Sequence, residues 1–558
     1  MRAGIVVRRF PLYVFSVSRP DLIFIHAPSI YDFRDRKIFF GPLSDVIPSS
    51  PIFEMYPVGF LTLGAYLRRQ GYKVRIINLA LLMMRSRRFR PEKLLAKLRP
   101  KLFGIDLHWL PHAQGSIEVA RLLKKLHPEI PIVFGGISAT YYHDELIREP
   151  SVDFVLRGTL TEPSLLALIR EIEGDKRFER VPDLTWKGGV NRVSSRPASL
   201  DEYPLDLGMM AGSVVRHLDF WSNVPFHSWW RHPITAVFTV KGCMRGCVTC
   251  GASSASFRRF MPARHPILRG AGAIAKEVNE LATITRAPIF FVGDLRDGGD
   301  AYVSEVLAAL AKSPVSNRIV FEFFDPPSAE LIARIDGAVR RWGAELSPES
   351  HDESVRALMG KATFTNARMN ESIDLLMRSR CEQLDLFYMV GLPGQTHASV
   401  LATVDSIEDL FRRYDRRLSA FMTPMGPFID PGSDGFEQAE NRGYILRART
   451  LAEHRALLEA RDWESMLNYE TRWMTRREIV SSTYEAGSRL NDLKERYGRI
   501  DRKQAARVRA HLRSNGTIID KSELFPPGAF LRNFRIGGIL RLLWRDTARH
   551  VLRPLTTR

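Results

Sequence analysis

Cysteine is scarce in this sequence, with four residues among 558. So few thiols exclude a disulfide-stapled secreted scaffold and point to a reducing, cytoplasmic setting. Long apolar runs are missing too, and no stretch approaches the roughly 18 residues that a membrane-spanning helix needs. The first residues are apolar in places, but Arg8, Arg9 and Pro11 interrupt them and no small-residue cleavage site follows. No signal peptide is expected there. Acidic residues are in deficit, 62 Asp and Glu against 81 Lys and Arg, and the resulting formal charge of +19 favours anionic partners. The excess is uneven, because residues 501–558 hold 13 Lys or Arg and only 4 Asp or Glu.

A chain of this length accommodates two or three domains. In the N-terminal third, short apolar runs at 21–26, 73–78, 102–106, 131–134 and 153–156 alternate with helical segments, notably 58–70 and 116–126. Near-continuous apolar strands separated by helices predict a doubly wound parallel α/β domain over residues 21–175, after an extension at 1–20. Ligands of such sheets sit at the carboxyl ends of the strands, where Gly135 and Gly136 lie. Residues 176–231 read as a connector packed across both domains. It holds a hairpin around Gly188-Gly189 and a cluster of Trp221, Trp229 and Trp230.

A second strand–helix series spans 232–435. Strands are predicted at 234–240, 288–292, 319–324, 343–346 and 384–390, with helices at 273–285, 302–312, 328–342 and 398–413. This is the pattern of a β/α barrel, full or partial, whose chemistry sits in the loops after the strands. The remaining residues, 436–558, read as a basic and largely helical region, with a continuous helical stretch from about 443 to 511. Residues 530–545 interleave arginine with bulky apolar side chains, a pattern that suits a helix lying on an anionic membrane surface or packed against the barrel. Gly537 and Gly538 weaken an uninterrupted helix there.

Three of the four cysteines, Cys243, Cys247 and Cys250, form a C-x3-C-x2-C triplet directly after the first barrel strand. Three clustered thiolates can hold three irons of a cubane and leave a fourth open. Zinc normally takes four ligands in paired spacing, and His227, His232 and His265 supply no such pair. A redox pair of Cys247 and Cys250 stays open as an alternative. Cys381 lies far downstream and is read as core.

The triplet in this setting resembles the signature of radical S-adenosylmethionine (radical SAM) enzymes. Tyr56-Pro57-Val58-Gly59, Gly135-Gly136 and Arg157-Gly158 with Glu162 resemble the cobalamin-binding domain that precedes many of their barrels. The resemblance implies a 4Fe–4S cluster on the three cysteines, S-adenosylmethionine on the open iron, and cobalamin in the N-terminal domain. It implies that Gly293 and Asp294 meet the methionine amine and that Glu349 and Ser350 reach the ribose. Lys361 would stand where relatives carry an arginine for the carboxylate, and Gly391 and Pro393 would lie near adenine. Thr249 departs from the aromatic residue usual before the third cysteine. The segment Asp106-Leu107-His108 is similar to part of the D-x-H-x-x-G cobalamin motif. It follows the third strand instead of the first, and Gly115 lies too far downstream, so His108 and His112 are read as helix-entry or substrate-facing residues, with contact to cobalt as the minority alternative. Phe421–Asp430 is similar to the family's loop after the sixth strand, which often faces substrate.

The implied activity is formation of a 5′-deoxyadenosyl radical and cobalamin-dependent methylation of an unactivated carbon of an organic substrate. An electron donor such as flavodoxin or ferredoxin would reduce the cluster. The alternatives are a membrane-surface enzyme that modifies lipid or metabolite without methyl transfer, and a cobalamin or iron–sulfur sensor. No helix-turn-helix or RNA-binding pattern supports a nucleic-acid partner.

Overall fold

A computed structural model describes residues 19–35, 52–193, 199–260, 266–361, 364–513 and 528–552. Most of the extension at 1–20, and parts of the basic C-terminal region, lie outside the described residues. Leu22–His26, Val74–Asn78, Leu102–Asp106, Ile132–Gly135 and Phe154–Leu156 form a parallel sheet in which the second strand is at one edge and the first lies inside it. The first and third strands are buried at every position, which is why they read as unbroken apolar runs. The hairpin of Leu184–Trp186 and Gly189–Val190 adds two antiparallel strands to this sheet. The sheet thus continues past residue 175, its expected end.

The second sheet has six strands, all parallel and in chain order: Thr235–Phe238, Ile289–Val292, Ile319–Phe323, Trp342–Glu349, Cys381–Val390 and Leu418–Pro424. It is an open β/α barrel. Its helices begin at good N-caps. Ser328 accepts from the amide of Leu331 ahead of Ala329–Ala338, and Thr396 forms a reciprocal capping box with Ser399 ahead of His397–Arg413.

Four expected elements are corrected. The helix expected to reach Trp342 stops at Ala338, and the fully buried Trp342 opens the fourth strand, its indole donating to Asp336 at 2.8 Å. The segment expected as a loop from Phe421 is strand as far as Pro424. The helical stretch from 443 to 511 is interrupted by an antiparallel pair, Tyr444–Leu446 and Tyr469–Thr471. In the last segment the helix breaks at Phe534, not at the glycine pair, giving Ala529–Asn533 and Ile536–Leu552.

The connector joins the domains through their cores. Val224, Phe226, Trp229 and Trp230 are buried in one cluster with N-terminal-domain residues and with Phe428, Leu451 and Met466. Further links are made by Arg455, bonded to Glu118 and Glu149, and by Asp546, which pairs with Arg68 and Arg216. Cys381 is buried at the start of its strand.

Gly115, in helix Ala113–Leu126, presses against the turn after the first strand. A Cβ there would lie 1.8 Å from the Pro28 carbonyl oxygen. Backbone cannot yield as a side chain can, so Gly115→Ala should cost about 1–3 kcal/mol and lower the melting temperature. Gly272→Ala, at a helical position with no atom within 4 Å of the added carbon, should leave stability unchanged or raise it. Paired calorimetric melts of the two variants check this.

Candidate functional site

The carboxyl ends of both sheets face one cavity of about 530 Å³. The N-terminal domain contributes Gly104, Asp106, His108, Gly135, Gly136, Thr140, Gly158 and Glu162, and the barrel contributes Cys243, Cys250, Gly293, Asp297, Glu322 and Phe324. The N-terminal side narrows to an apolar slot walled by Phe24, Phe60, Val133, Leu156 and Leu165. Gly136 holds φ +118°, open only to glycine without strain. Thr140 ties the rim together, donating to the Gly136 carbonyl at 2.8 Å and accepting from the Gly158 amide at 2.9 Å. Glu162 is buried and accepts from Thr62 at 2.9 Å through Oε1, while Oε2 has no partner. An orphaned carboxylate oxygen on a cavity wall fits a ligand that brings a hydrogen-bond donor.

The cysteine loop is held by backbone bonds on both sides. The Val248 amide donates to the Met359 carbonyl at 2.9 Å, and the Val248 carbonyl accepts from Gly435 at 2.7 Å. The Cys243 sulfur accepts from the Arg245 amide at 3.4 Å and the Cys250 sulfur from the Ala252 amide at 3.3 Å. Burial pushes all three thiols up, Cys247 to about 12. Among the described residues the three sulfurs do not gather within 4.8 Å as ligands of one ion would. A cubane places each thiolate on a different iron, so it does not require the three sulfurs to converge on one ion. The His26, Asp106 and His112 group does lie that close. Both ring nitrogens of His26 are already engaged, with Asp106 at 3.1 Å and the Phe53 carbonyl at 2.9 Å, so it has no lone pair to offer an ion.

The remaining expected residues separate into those on the cavity and those behind it. Gly293 is on the wall, with φ +98° and its amide 2.6 Å from Glu322. Asp294 is not among the lining residues. Its carboxylate accepts from the Arg296 amide at 3.0 Å, from the Arg296 guanidinium at 2.5 Å and from the Phe324 amide at 3.1 Å. Glu349 is buried at φ +65° and pairs with Lys361 at 3.2 Å. Lys361 also donates to the Ser347 carbonyl at 3.2 Å and lies 5.1 Å from the Phe324 ring centre. Ser350 is buried and its hydroxyl accepts from the Asp352 amide at 3.1 Å. Gly391 and Pro393 sit in a turn built on Gln395, whose Oε1 accepts from the amides of Gly391 at 2.9 Å and Leu392 at 3.2 Å. Neither Gly391 nor Pro393 lines the cavity.

Sequence reasoning missed Asp297, Glu322 and Arg245. Arg245, between the first two cysteines, pairs with Asp297 at 3.3 Å and with Asp325. Burial raises both Asp297 and Glu322 toward the neutral acid, with Asp294 nearby adding to it in both cases. Glu322 had a visible signal, a carboxylate inside the apolar run Ile319–Phe323. It aligns with Glu345 and Asp385 on neighbouring strands, and Glu345 is pushed up to about 8 by burial and then by Asp385 and Glu322.

Residues 46–166 match the B12-binding domain family. The anaerobic magnesium-protoporphyrin IX monomethyl ester cyclase of Synechocystis sp. is 25% identical over 39% of this chain and 42% of its own length. The 2-(S-pantetheinyl)-carbapenam-3-carboxylate methyltransferase of Streptantibioticus cattleyicolor is 28% identical over 25% of this chain and 20% of its own. The chain thus matches less than half the length of these curated relatives. The radical S-adenosylmethionine methyltransferase TsrM of Kitasatospora setae, solved with cobalamin and a [4Fe-4S] cluster, superposes with a TM-score of 0.54 at 14% identity, over 94% of this chain and 99% of that one. The chain carries a B12-binding domain and shares the fold of a radical S-adenosylmethionine methyltransferase over nearly its whole length.

The buried Glu349–Lys361 pair gives a test of this wall. Lys361→Met removes the partner of a buried carboxylate and should cost about 3–5 kcal/mol. Lys361→Arg should recover most of that loss. Chemical denaturation of the two variants beside the parent chain reads the difference.

Proposed function

We propose that this chain is a cobalamin-dependent radical S-adenosylmethionine enzyme that methylates an unactivated carbon of an organic substrate. One observation carries the reading: Cys243 and Cys250 share a single cavity with the glycine-lined strand ends of the B12-binding domain. When bound, the cluster and S-adenosylmethionine would supply a 5′-deoxyadenosyl radical, and cobalamin a transferable methyl group.

The chain's own residues hold and orient. Cys243, Cys247 and Cys250 would ligate three irons, and the amides of Arg245 and Ala252 temper charge on two of the sulfurs. Arg245 is fixed by Asp297 and Asp325, which keeps its charge beside the loop in one place. Asp297 and Glu322 line the wall with Gly293 and would accept from the methionine ammonium. Asp294, engaged by Arg296, shapes the turn behind them. Lys361 and Glu349 satisfy each other and set the end of the fourth strand near Cys247. The free oxygen of Glu162 and the apolar slot beside it would take a hydrogen-bonding, flat heteroaromatic part of the cobalamin. The apolar wall also limits water around a radical. A small one-electron donor of the flavodoxin or ferredoxin class, in the cytoplasm, completes the requirements.

The final helix favours a place at a membrane surface. No described helix is long and apolar enough to cross one. On helix Ile536–Leu552, however, Ile536, Leu540 and Trp544 are 51%, 60% and 76% exposed. They recur every four residues along one face, beside the exposed Arg541 and Arg545. The opposite face packs on helices Leu207–His217 and Ala271–Ile284. A surface stripe of apolar side chains rimmed by arginine suits an anionic bilayer interface.

Two outcomes test these readings. Anoxically reconstituted protein with a strong reductant should convert S-adenosylmethionine to 5′-deoxyadenosine, and Cys250→Ala should abolish this, as followed by mass spectrometry. Turnover that survives in the variant removes the radical reading, and product without an added methyl removes methyl transfer. The double variant Leu540→Ser, Trp544→Ser should lose more than about tenfold in binding to phosphatidylglycerol vesicles at low salt. Sedimentation with the vesicles measures that loss, and parent binding should weaken as salt rises.

A further inference from the structure

We propose that the chain meets an anionic bilayer through two elements, the final helix Ile536–Leu552 and the end of helix Leu207–His217, where Val215 and Leu218 enter the lipid as a second anchor. The inference rests on the membrane reading of the final helix and extends it to the connector, which sequence had assigned only to packing between domains.

Leu218 is unusual in two independent ways. It is 92% exposed, and its backbone is left-handed, with φ +51° and ψ +32°. This is the place after a helix where glycine or asparagine is usual, because a Cβ there crowds the following carbonyl. A leucine at this point adds strain and no packing, so the fold by itself does not call for one. The residues around it are hooked inward. Arg216 donates to Asp546 at 2.8 Å, while Asp219 pairs with Arg75 at 3.2 Å and accepts from the Ser222 amide at 3.0 Å. The turn between these two fixed points leaves Leu218 outside, and Val215, in the last turn of the same helix, is 54% exposed.

The ion cluster that fastens the final helix brings this end of the connector helix to it. Asp546 is buried and pairs with Arg216 and Arg68. Gly212 makes room for the carboxylate, since an added Cβ would sit 2.0 Å from Asp546 Oδ2. Leu218 lies two residues from Arg216, and the exposed Trp544 lies two residues from Asp546, so one ion pair stands between the two apolar side chains. Charge selects the occupant. Residues 529–546 carry Arg532, Arg535, Arg541 and Arg545 against a single acid, Asp546, and that acid is buried and already paired. Protruding apolar side chains among arginines suit an anionic bilayer, where the first reach the acyl boundary and the second meet phosphate headgroups. A lone surface helix lets a protein roll about the helix axis. A second contact away from that axis removes this freedom and holds the molecule in one attitude.

Vesicle binding and thermal melting of the full chain, measured together, test the second anchor. Leu218→Gly should melt at the parent's temperature or above, because glycine takes the left-handed conformation without strain. The same variant should bind phosphatidylglycerol vesicles about fivefold more weakly at low salt. Leu218→Trp should bind at least as tightly as the parent, since tryptophan favours the membrane interface. Sedimentation with the vesicles gives the affinities and calorimetry the melting temperatures. Parent-like binding by Leu218→Gly overturns the second anchor, and the membrane reading then stands if the Leu540→Ser, Trp544→Ser variant still loses its binding. A lower melting temperature in Leu218→Gly would make the leucine a packing residue and also overturns the anchor, as does an equal loss of binding in Leu218→Trp. A parent chain that does not bind the vesicles overturns both readings.

Discussion

The structure depends on one constraint: two parallel sheets must present their carboxyl ends to the same space. Each sheet alone is an ordinary α/β solution, buried on both faces and open at one end. Facing each other, they make a single cavity with glycine-lined strand ends on one side and a thiol loop on the other. Glycines make the approach possible. Gly104, Gly135, Gly136 and Gly158 remove side chains along the N-terminal wall, and Gly293 does the same in the barrel, where an added carbon would meet Val240 at 2.3 Å.

The two walls differ chemically in a way that suits two different ligands. The N-terminal wall is apolar with few polar groups: the Asp106–His108 couple, the threonine rim and the unpaired oxygen of Glu162. The barrel wall carries Asp297 and Glu322, and behind it charge is dense, with Arg245 among Asp294, Asp297 and Asp325. Charges desolvated in this way cost free energy unless paired, and here nearly every one has a named partner. Polar groups without a protein partner, such as Glu162 Oε2, stand out against that background.

Much of this was legible in the sequence, for physical reasons that also mark its limits. Strands buried on both faces carry an apolar run that needs no periodicity, and those of the N-terminal sheet fall within a residue or two of expectation. The three-residue strands Tyr444–Leu446 and Tyr469–Thr471 are too short to carry any period and vanished into a helical reading. Trp342 was read into a helix because only three residues separate the helix end at Ala338 from the strand that Trp342 opens. The cysteine triplet stands out because its spacing is chemistry. For Asp294 the sequence shows an acid after a strand but not that Arg296, two residues on, bonds to it. Asp297 needed the third dimension, since only the sheet brings its turn to the wall beside Glu322, which stands within a strand. The bond between His108 and Asp106 has no signature in spacing, and the same carboxylate meets His26, 80 residues earlier.

The links between the domains have a consequence for the entropy of reaction. Asp546 against Arg68 and Arg216, Arg455 against Glu118 and Glu149, and the tryptophan cluster of the connector fasten the two sheets at separate points. Arg68 lies on helix Gly59–Arg69, whose other end, Gly59 and Phe60, forms part of the cavity wall. The spacing between the thiol loop and the glycine-lined strand ends is thus fixed when the chain folds. Translational and rotational freedom between the two halves is surrendered before any substrate arrives, so binding energy from the substrate is left to act on the substrate's own geometry.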